Sequence, residues 1–389
     1  MDFDIIIVGG GPAGLALARA LAGSGLSLAI VERQDRPALA EPAYDGREIA
    51  LTRRSARILQ ELGAWGHLPE GAASPIKRAR VLNGGSRVAL TFDTGKRGPE
   101  VLGVLLSNQH IRQALFACAA QQPGLTLLDG CAVATAEAGP AGAAVTLADG
   151  RTMRARLLIA ADSRFSRVRE QLGIRAEMNP LGRAMLVCRV EHDRDHGHVA
   201  TEWFEHHHTI AMLPLNGRMS SAVLTLPLAQ AERVAQLDDA VLGAEIAAFY
   251  RHRLGSMRVA SSRHVYPLVT TFADRFAVPG AALVGDAAVG MHPVTAHGFN
   301  LGLAGADRLA REIKLALRRG ADWAGMPVTG AYDAGHRRAS RPLYAATNLI
   351  VRLYTDTRPA AWIARHAAIR LGRRLPFVRG AVRSMLLHA

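Results

Sequence analysis

The sequence predicts an α/β protein with a parallel-sheet unit, a separate antiparallel sheet and a helical C-terminus. Three observations predict it. An apolar run of strand length, Asp4 to Val8, leads directly into Gly9-x-Gly11-x-x-Gly14 and a helical segment, Leu15 to Ala22. A second such run, Ala281 to Val284, leads into Gly285-Asp286-Ala287-Ala288 near the other end of the chain. Between them, from about 178 to 270, the pattern changes to short alternating strands.

The first block reads as a Rossmann-like dinucleotide site. Unpaired N–H groups and the positive dipole end of a helix N-terminus suit a pyrophosphate. Gly9 makes the tight turn, Gly11 admits the phosphate, and Gly14 lets helix and strand pack closely. A further strand, Leu28 to Val31, ends on Glu32, 18 residues after Gly14, where a carboxylate can accept from ribose hydroxyls.

The remaining elements follow in order. Val88 to Phe92 reads as a strand leaving the first unit. Ser107 is placed to cap a helix that starts at Asn108 and carries Arg112. Leu125 to Leu128, Ala143 to Leu147 and Leu157 to Ala161 read as strands, with a hairpin turn at Asp149-Gly150. Further strands are Ala184 to Val190, Ala200 to Phe204, Thr209 to Leu213 and Ser221 to Leu226. One helix, Leu237 to Arg253, interrupts them. The expected organisation is a discontinuous nucleotide-binding unit of residues 1–75, 100–177 and 271–340. A β-sheet substrate unit takes 76–99 and 178–270, and a basic helical segment takes 341–389.

Composition narrows the function. The chain of 389 residues carries a formal charge of +14. No apolar run reaches membrane-spanning length, because Arg19 interrupts the longest, and the acidic start is unlike a signal peptide. A cytoplasmic protein, at most peripheral to a membrane, is expected. Cys118, Cys131 and Cys188 have no paired spacing and fit a reducing compartment. His206, His207 and His208 alternate faces in a strand and cannot share one ion. His196 and His198 lack a third ligand, and Glu202 and Glu205 are near in sequence only, so no metal is expected. No G-x-S-x-G elbow points to a hydrolase.

Residues 341–389 hold nine arginines, no lysine and one acid, Asp356, a net +8. Phe377, Val382 and Met385 share a helical face, with Arg379 and Arg383 opposite. A membrane surface, a partner protein and a solvated basic face all fit this pattern. Nucleic acid does not, since no recognition module is present.

Four blocks resemble the class A flavoprotein aromatic hydroxylases related to para-hydroxybenzoate hydroxylase. They are Gly9 to Gly14 with Glu32; Asp45-Gly46-Arg47 through Trp65; Leu158 to Arg169; and Gly285-Asp286-Ala287-Ala288 through Pro293, Gly298 and Asn300. The second block resembles the ubiquinone-biosynthesis hydroxylases in particular. The last resembles the bacterial branch associated with 5-demethoxyubiquinol hydroxylation and broad ring selectivity.

The resemblance implies FAD, reduced by NADH or NADPH, that activates O₂ as a C4a-hydroperoxide. The oxygen goes to a polyprenylated phenol or quinol of ubiquinone biosynthesis. It implies cofactor contacts from Gly9, Gly11, Ala13, Gly14, Glu32, Arg47, Arg112, Asp162, Asp286, Gly298 and Asn300. Pro293 matches a proline beside the flavin, and His297 flanks it with His292. Met212, Leu213 and Pro214 resemble a stretch facing the flavin, although any strand core contains such residues. Arg112 also reads as an ordinary helix-surface arginine, and His297 as a structural loop histidine.

Ser163 departs from the family's usual glycine, which would alter nicotinamide docking if that position needs a glycine backbone. Other readings stay open: a hydroxylase of another phenol, an isoprenoid reductase, or a flavin-bearing assembly subunit without catalysis.

Overall fold

A computed structural model describes residues 1–86, 89–95, 100–205, 208–295 and 297–355. The core is a parallel sheet. Phe3–Val8 lies at its centre, paired with Thr152–Ala160 on one side and Leu28–Val31 on the other. Ala281–Leu283 and Leu125–Leu128 extend the sheet outward, also in parallel. Helices cover both faces of such a sheet, so its strands run continuously apolar. Ile5, Ile6 and Ile7 are each 0% exposed, and each contributes about 1.5–3 kcal/mol by leaving water. Gly142–Leu147 folds back antiparallel on the first half of Thr152–Ala160 across the Asp149-Gly150 turn.

The second sheet has nine strands among the described residues. Its long central strand, Ala176–His192, pairs antiparallel with Met219–Pro227 and with His264–Ala273. Thr209–Pro214, Val199–Phe204, Arg78–Asn83 and Leu90–Asp93 continue it to one edge. A small third sheet joins Glu48–Thr52, Gly103–Ser107 and Ser74–Ile76.

Several expected boundaries move, each for a local reason. The first helix runs Pro12–Ala20, not Leu15 to Ala22. Pro12 suits a first helical turn, and the glycine-rich turn at residues 23–25 stops the helix early. The helix expected over Leu237 to Arg253 is the shorter Asp239–Phe249, and a separate helix that was not expected, Leu228–Ala235, precedes it. Asp238 accepts from the Val241 N–H at 2.9 Å and starts a new helix. Ser107 precedes Asn108–Ala120 but makes no side-chain cap; its Oγ is buried without a partner. The expected Val88 to Phe92 strand is Leu90–Asp93, and residues 87 and 88 lie outside the described residues. After Gly285-Asp286 the chain makes a short 3-10 turn, then Val289–Gly290, before the helix Gly298–Arg318.

The final described helix, Met326–Thr355, pins the parallel sheet. The Tyr332 hydroxyl donates to the Leu283 carbonyl at 2.6 Å, and Asp333 accepts from the Phe276 N–H at 2.8 Å. His336, 2% exposed, packs between Gly305, Tyr332 and Phe276. Among the described residues no helix is long and apolar enough to cross a membrane, and no cluster of His, Cys, Asp and Glu could hold a metal. The tail positions Phe377, Arg379, Val382, Arg383 and Met385, and the residues His206 and His207, lie outside the described residues.

Burial holds two histidines neutral. His336 and His292 are both pushed from 6.5 down to about 4 by desolvation, with nearby arginines adding to the shift. A folded value below the unfolded one gives stability that is present above about 6.5 and is lost as pH falls toward 4. Each extra proton taken up by the unfolded chain costs about 1.4 kcal/mol per pH unit. Urea unfolding across that window should show the decline, and His336→Gln should flatten it. An unchanged slope in the variant would exclude His336 as a source.

Candidate functional site

The two glycine blocks meet. Gly9 has φ +112°, and a Cβ there would lie 2.4 Å from the Ala161 carbonyl oxygen. Gly285 has φ +63°, and a Cβ there would lie 2.8 Å from the Ala13 Cβ. A Cβ on Gly14 would come to 2.1 Å from the Gly9 carbonyl. Side chains are thus excluded at three points where backbone must touch its neighbour. Gly11 is the contrast. Nothing lies within 4 Å of its would-be Cβ, and it stands directly before the helix Pro12–Ala20, whose first turn carries no acid. That open space in front of a helix N-terminus has the chemistry of a phosphate cradle.

Glu32 lies beside it. Its carboxylate accepts from the Gly10 N–H at 2.6 Å and from the Gln34 N–H at 2.9 Å. On the same side, Arg112 donates to Gln34 Oε1 at 2.9 Å. Burial lowers the Arg112 pKa, and Asp45, Arg47 and Glu32 are among the charges it feels. Arg47 pairs with Asp45 at 2.6 Å, and Asn108 donates to the same carboxylate oxygen at 2.7 Å. Burial works to raise the Asp45 pKa, but Arg47 and Asn108 hold it below its ordinary value.

The Asp162 and Asp286 motifs face each other. Arg164 donates to Asp286 Oδ2 at 2.8 Å and to the Val269 carbonyl at 2.9 Å. Arg169, 1% exposed, reaches the carbonyls of Arg164 and Ala287, each at 3.0 Å, and clamps the two loops together. Asp162 keeps a buried Oδ1 without a partner. Such an orphan acceptor fits a cofactor hydroxyl or N–H. Ser163 has no left-handed backbone, so no glycine is needed at that position; its Oγ accepts from the Phe165 N–H.

Asn300 does something the motif did not reveal. Its Oδ1 accepts from the Thr52 N–H at 3.0 Å, and its Nδ2 donates to the Ala50 carbonyl at 2.9 Å. The side chain thus fastens the edge strand Glu48–Thr52 to the start of the Gly298–Arg318 helix. Pro293 is partly exposed, whereas His297 is 3% exposed just before that helix. His292 Nδ1 accepts from the Val294 N–H at 3.1 Å, which leaves the proton of the neutral ring on Nε2.

The nine-stranded sheet turns one face to these loops. The Tyr266 hydroxyl donates to the Asp45 carbonyl at 2.6 Å. Gly46 lies against the His264 ring, and Arg189 donates through Nε and Nη2 to Glu48 at 2.8 and 2.6 Å. Glu48 is buried; burial raises its pKa and Arg189 opposes that.

Alternation along Thr209–Pro214 then separates the expected pocket residues. Met212 packs with Ile210, Trp203 and Leu224 against the helices behind the sheet. Leu213 packs on the front, with Ala50, Leu102 and Leu105. Met212 is therefore core, because a strand's neighbours point to opposite faces. Pro214 is buried at the strand end.

Sequence reasoning missed Arg164, Asn108, Arg189 and Tyr266. Arg164 lay within a motif already quoted. The others carry no local signal, since their partners are remote in the chain.

The residues present fit FAD: an open phosphate cradle, an acid at the ribose position, an orphan buried carboxylate oxygen and two cations beside the entry. Comparisons with known proteins agree. A family model described as FAD binding domain matches residues 2–335. The chain is 42% identical to Ubiquinone hydroxylase UbiM of Neisseria meningitidis over 98% of its length and 84% of that protein. It is 35% identical to Ubiquinone hydroxylase UbiL of Rhodospirillum rubrum over 94% of its length and 85% of that protein. Among solved structures, p-nitrophenol 4-monooxygenase PnpA of Pseudomonas putida superposes with a TM-score of 0.78. It is 17% identical, and the match covers 98% of this chain and 97% of that one, a likeness of fold.

Gly11 and Gly14 should fail differently. Gly14→Ala forces a side chain into the Gly9 carbonyl and should unfold the chain at markedly lower temperature. Gly11→Ala should fold with a near-normal melting temperature and retain less FAD after gel filtration. Equal melting temperatures for the two variants would show that Gly14 is not a packing point.

Proposed function

The chain belongs to the FAD binding domain family and is an FAD-dependent monooxygenase, and from that premise we propose that it hydroxylates the ring of a polyprenylated phenol or quinol precursor of ubiquinone. The observation that carries the substrate reading is the similarity, over nearly the whole chain, to a protein named Ubiquinone hydroxylase UbiM. The front face of the nine-stranded sheet supports it. Met185, Leu213 and Val223 are partly exposed there and make an apolar floor suited to a prenylated ring.

FAD, when bound, supplies the redox chemistry: it takes a hydride from NADH or NADPH and passes activated oxygen to the ring. The protein's work is to bind, orient and keep water out. Gly11 and the first turn of Pro12–Ala20 receive the pyrophosphate. Glu32 accepts from the ribose. Asp286, held by Arg164, accepts from the ribityl chain, and Asp162 contributes its unpartnered oxygen. Arg47 and Arg112 flank the entry, and Gly298 offers backbone N–H groups at a helix start. Ala13 stays small because Gly285 touches it. Pro293 and His297 shape the wall near the ring. His292, neutral at pH 7, offers an Nε2–H donor. Leu213 and Pro214 belong to the strand that floors the substrate space. The unit of residues 76–99 and 178–270 is the substrate half, closed on the cofactor half by Tyr266, Arg189 and Gly46.

The purified chain should be yellow, and a quinol-like phenol should stimulate its NAD(P)H oxidation. A protein that stays colourless after FAD is supplied would end this reading. Asp286→Ala removes a charged acceptor and should weaken FAD retention at least tenfold, given the roughly 1.5–3 kcal/mol of a hydrogen bond to a charged group. With labelled O₂ the product should gain one labelled oxygen; an unlabelled, reduced product would mean a reductase.

We also propose that residues 341–389, with their net +8, bring the enzyme to an anionic membrane surface where such a substrate resides. Each arginine near that surface contributes about 1 kcal/mol. Arg379→Glu with Arg383→Glu should reduce sedimentation with anionic vesicles, most at low salt, without changing FAD content. Binding that survives both substitutions and ignores salt would make the segment a structural or protein-docking element.

A further inference from the structure

Among the described residues, one acid on the front face of the nine-stranded sheet has no cation beside it. Glu202 lies in the strand Val199–Phe204, opposite Ala211 on one side and Val81 on the other. Ala211 stands opposite Val223, and Val223 opposite Val187. These five residues form a row across five strands, apolar except for Glu202. The row is on the front, because alternate positions, Trp203, Met212, Leu224 and Cys188, pack against the helices behind. His264, opposite Val187 at the far end of the row, touches Gly46 of the cofactor half.

Glu202 also lies near the wall of the enclosure. Leu213, diagonal to it, and Ala200, two residues before it on the same strand, pack against the same apolar cluster as Ala50, and the Ala50 carbonyl is held by Asn300. Glu202 is partly exposed as a residue, and its carboxyl has no hydrogen bond or ion pair among the described residues. A carboxyl kept unpaired on an apolar surface is costly to a fold, and this one lies on the sheet face proposed above as the substrate floor.

We propose that Glu202 is the acid–base group for the ring hydroxyl of the substrate. This rests on the reading that the substrate is a phenol or quinol. The ionised carboxylate takes the phenolic proton: the phenol O–H bond breaks and a carboxyl O–H bond forms. The electron pair left on oxygen delocalises to the ring carbons ortho and para to it, and one of these receives one atom of O₂; that carbon then loses its hydrogen as a proton and the ring oxygen regains one, which restores the aromatic ring. The second atom leaves as water, with both electrons supplied by NAD(P)H through the flavin. Glu202 then returns its proton to solvent.

The electrostatics suit the task. An ordinary carboxyl, with a pKa near 4, is a poor base for a phenol with a pKa near 10. Burial raises Glu202 to about 8, which closes much of that gap. None of Arg183, Arg189, Glu191, Arg258, His264 and Tyr266 on that face shifts it; desolvation is the only cause.

The test uses the full-length holoenzyme and 4-nitrophenol as a coloured probe whose ionised form is read directly. Bound to the wild-type protein, the probe should ionise in two coupled steps, one of them near pH 8. In Glu202→Gln the second step should vanish. With a substrate quinol, Glu202→Gln should keep its FAD and its NAD(P)H oxidation but form hydroxylated product about 10²-fold more slowly, releasing hydrogen peroxide instead. The wild-type hydroxylation rate should rise with pH through about 8, and that rise should disappear in the variant.

A variant that keeps the two-step titration and the pH profile overturns the proposal. If Glu202→Gln fails to retain FAD, Glu202→Asp decides. A displaced but present second step supports the role, and a step identical to wild type overturns it. If the wild type hydroxylates no quinol precursor, the substrate reading falls, while the probe titration, which needs no turnover, still reads Glu202.

Discussion

Backbone contact at a few glycines is the constraint on which the rest depends. The Gly9 turn lies against Ala161, Gly14 against Gly9, and Gly285 against Ala13. These contacts bring the ends of three parallel strands to one point, where a helix N-terminus opens onto space left by Gly11. A phosphate group there meets N–H groups without any side chain having to move. The polar clamps are secondary. Arg169 on the carbonyls of Arg164 and Ala287, and Asn300 on Ala50 and Thr52, hold the loops in the position that backbone packing already permits.

The second sheet adds what the cofactor unit lacks, a broad surface with two different faces. The rear is sealed by Leu228–Ala235 and Asp239–Phe249. The front is joined to the cofactor half through Arg189–Glu48, Tyr266–Asp45 and the His264 contact at Gly46. A buried ion pair is a weak source of net stability, but breaking one partner is expensive. The Arg189–Glu48 pair therefore fixes the angle between the two halves more than it strengthens either.

The legible parts of this protein were local. Gly9, Gly11, Gly14 and Glu32 announce themselves by spacing, and Leu28–Val31 matches its apolar run residue for residue. The Asp149-Gly150 turn is likewise a short-range signal. What could not be read depends on distant partners or on competition between local signals. Asn300 sits in a recognisable motif, yet its side chain serves a strand far away in the chain. Alternation told that Met212 and Leu213 point apart, but not which one meets the front. Asp238 caps the helix that the apolar pattern predicted, while the short helix Leu228–Ala235 before it went unread. Ser107 has a good capping residue type, but its hydroxyl points into the core. Glu202 gave no signal in the sequence beyond being an acid in a strand.

The Thr52–Asn300 bond spans 248 positions, and the parallel sheet gains its last interior strand only at Ala281–Leu283. Chain growth of about 5–20 residues per second means that Phe3–Val8 emerges on the order of tens of seconds before that strand exists. During that interval the nascent N-terminal half carries an apolar sheet edge and a half-built nucleotide cleft. Contacts of such sequence separation form slowly once the chain is complete. The flavin can therefore act only as a late ligand, seizing a nearly finished fold and drawing the final equilibrium toward it by mass action. The cofactor cannot shield the early half from aggregation, because its site is not yet complete.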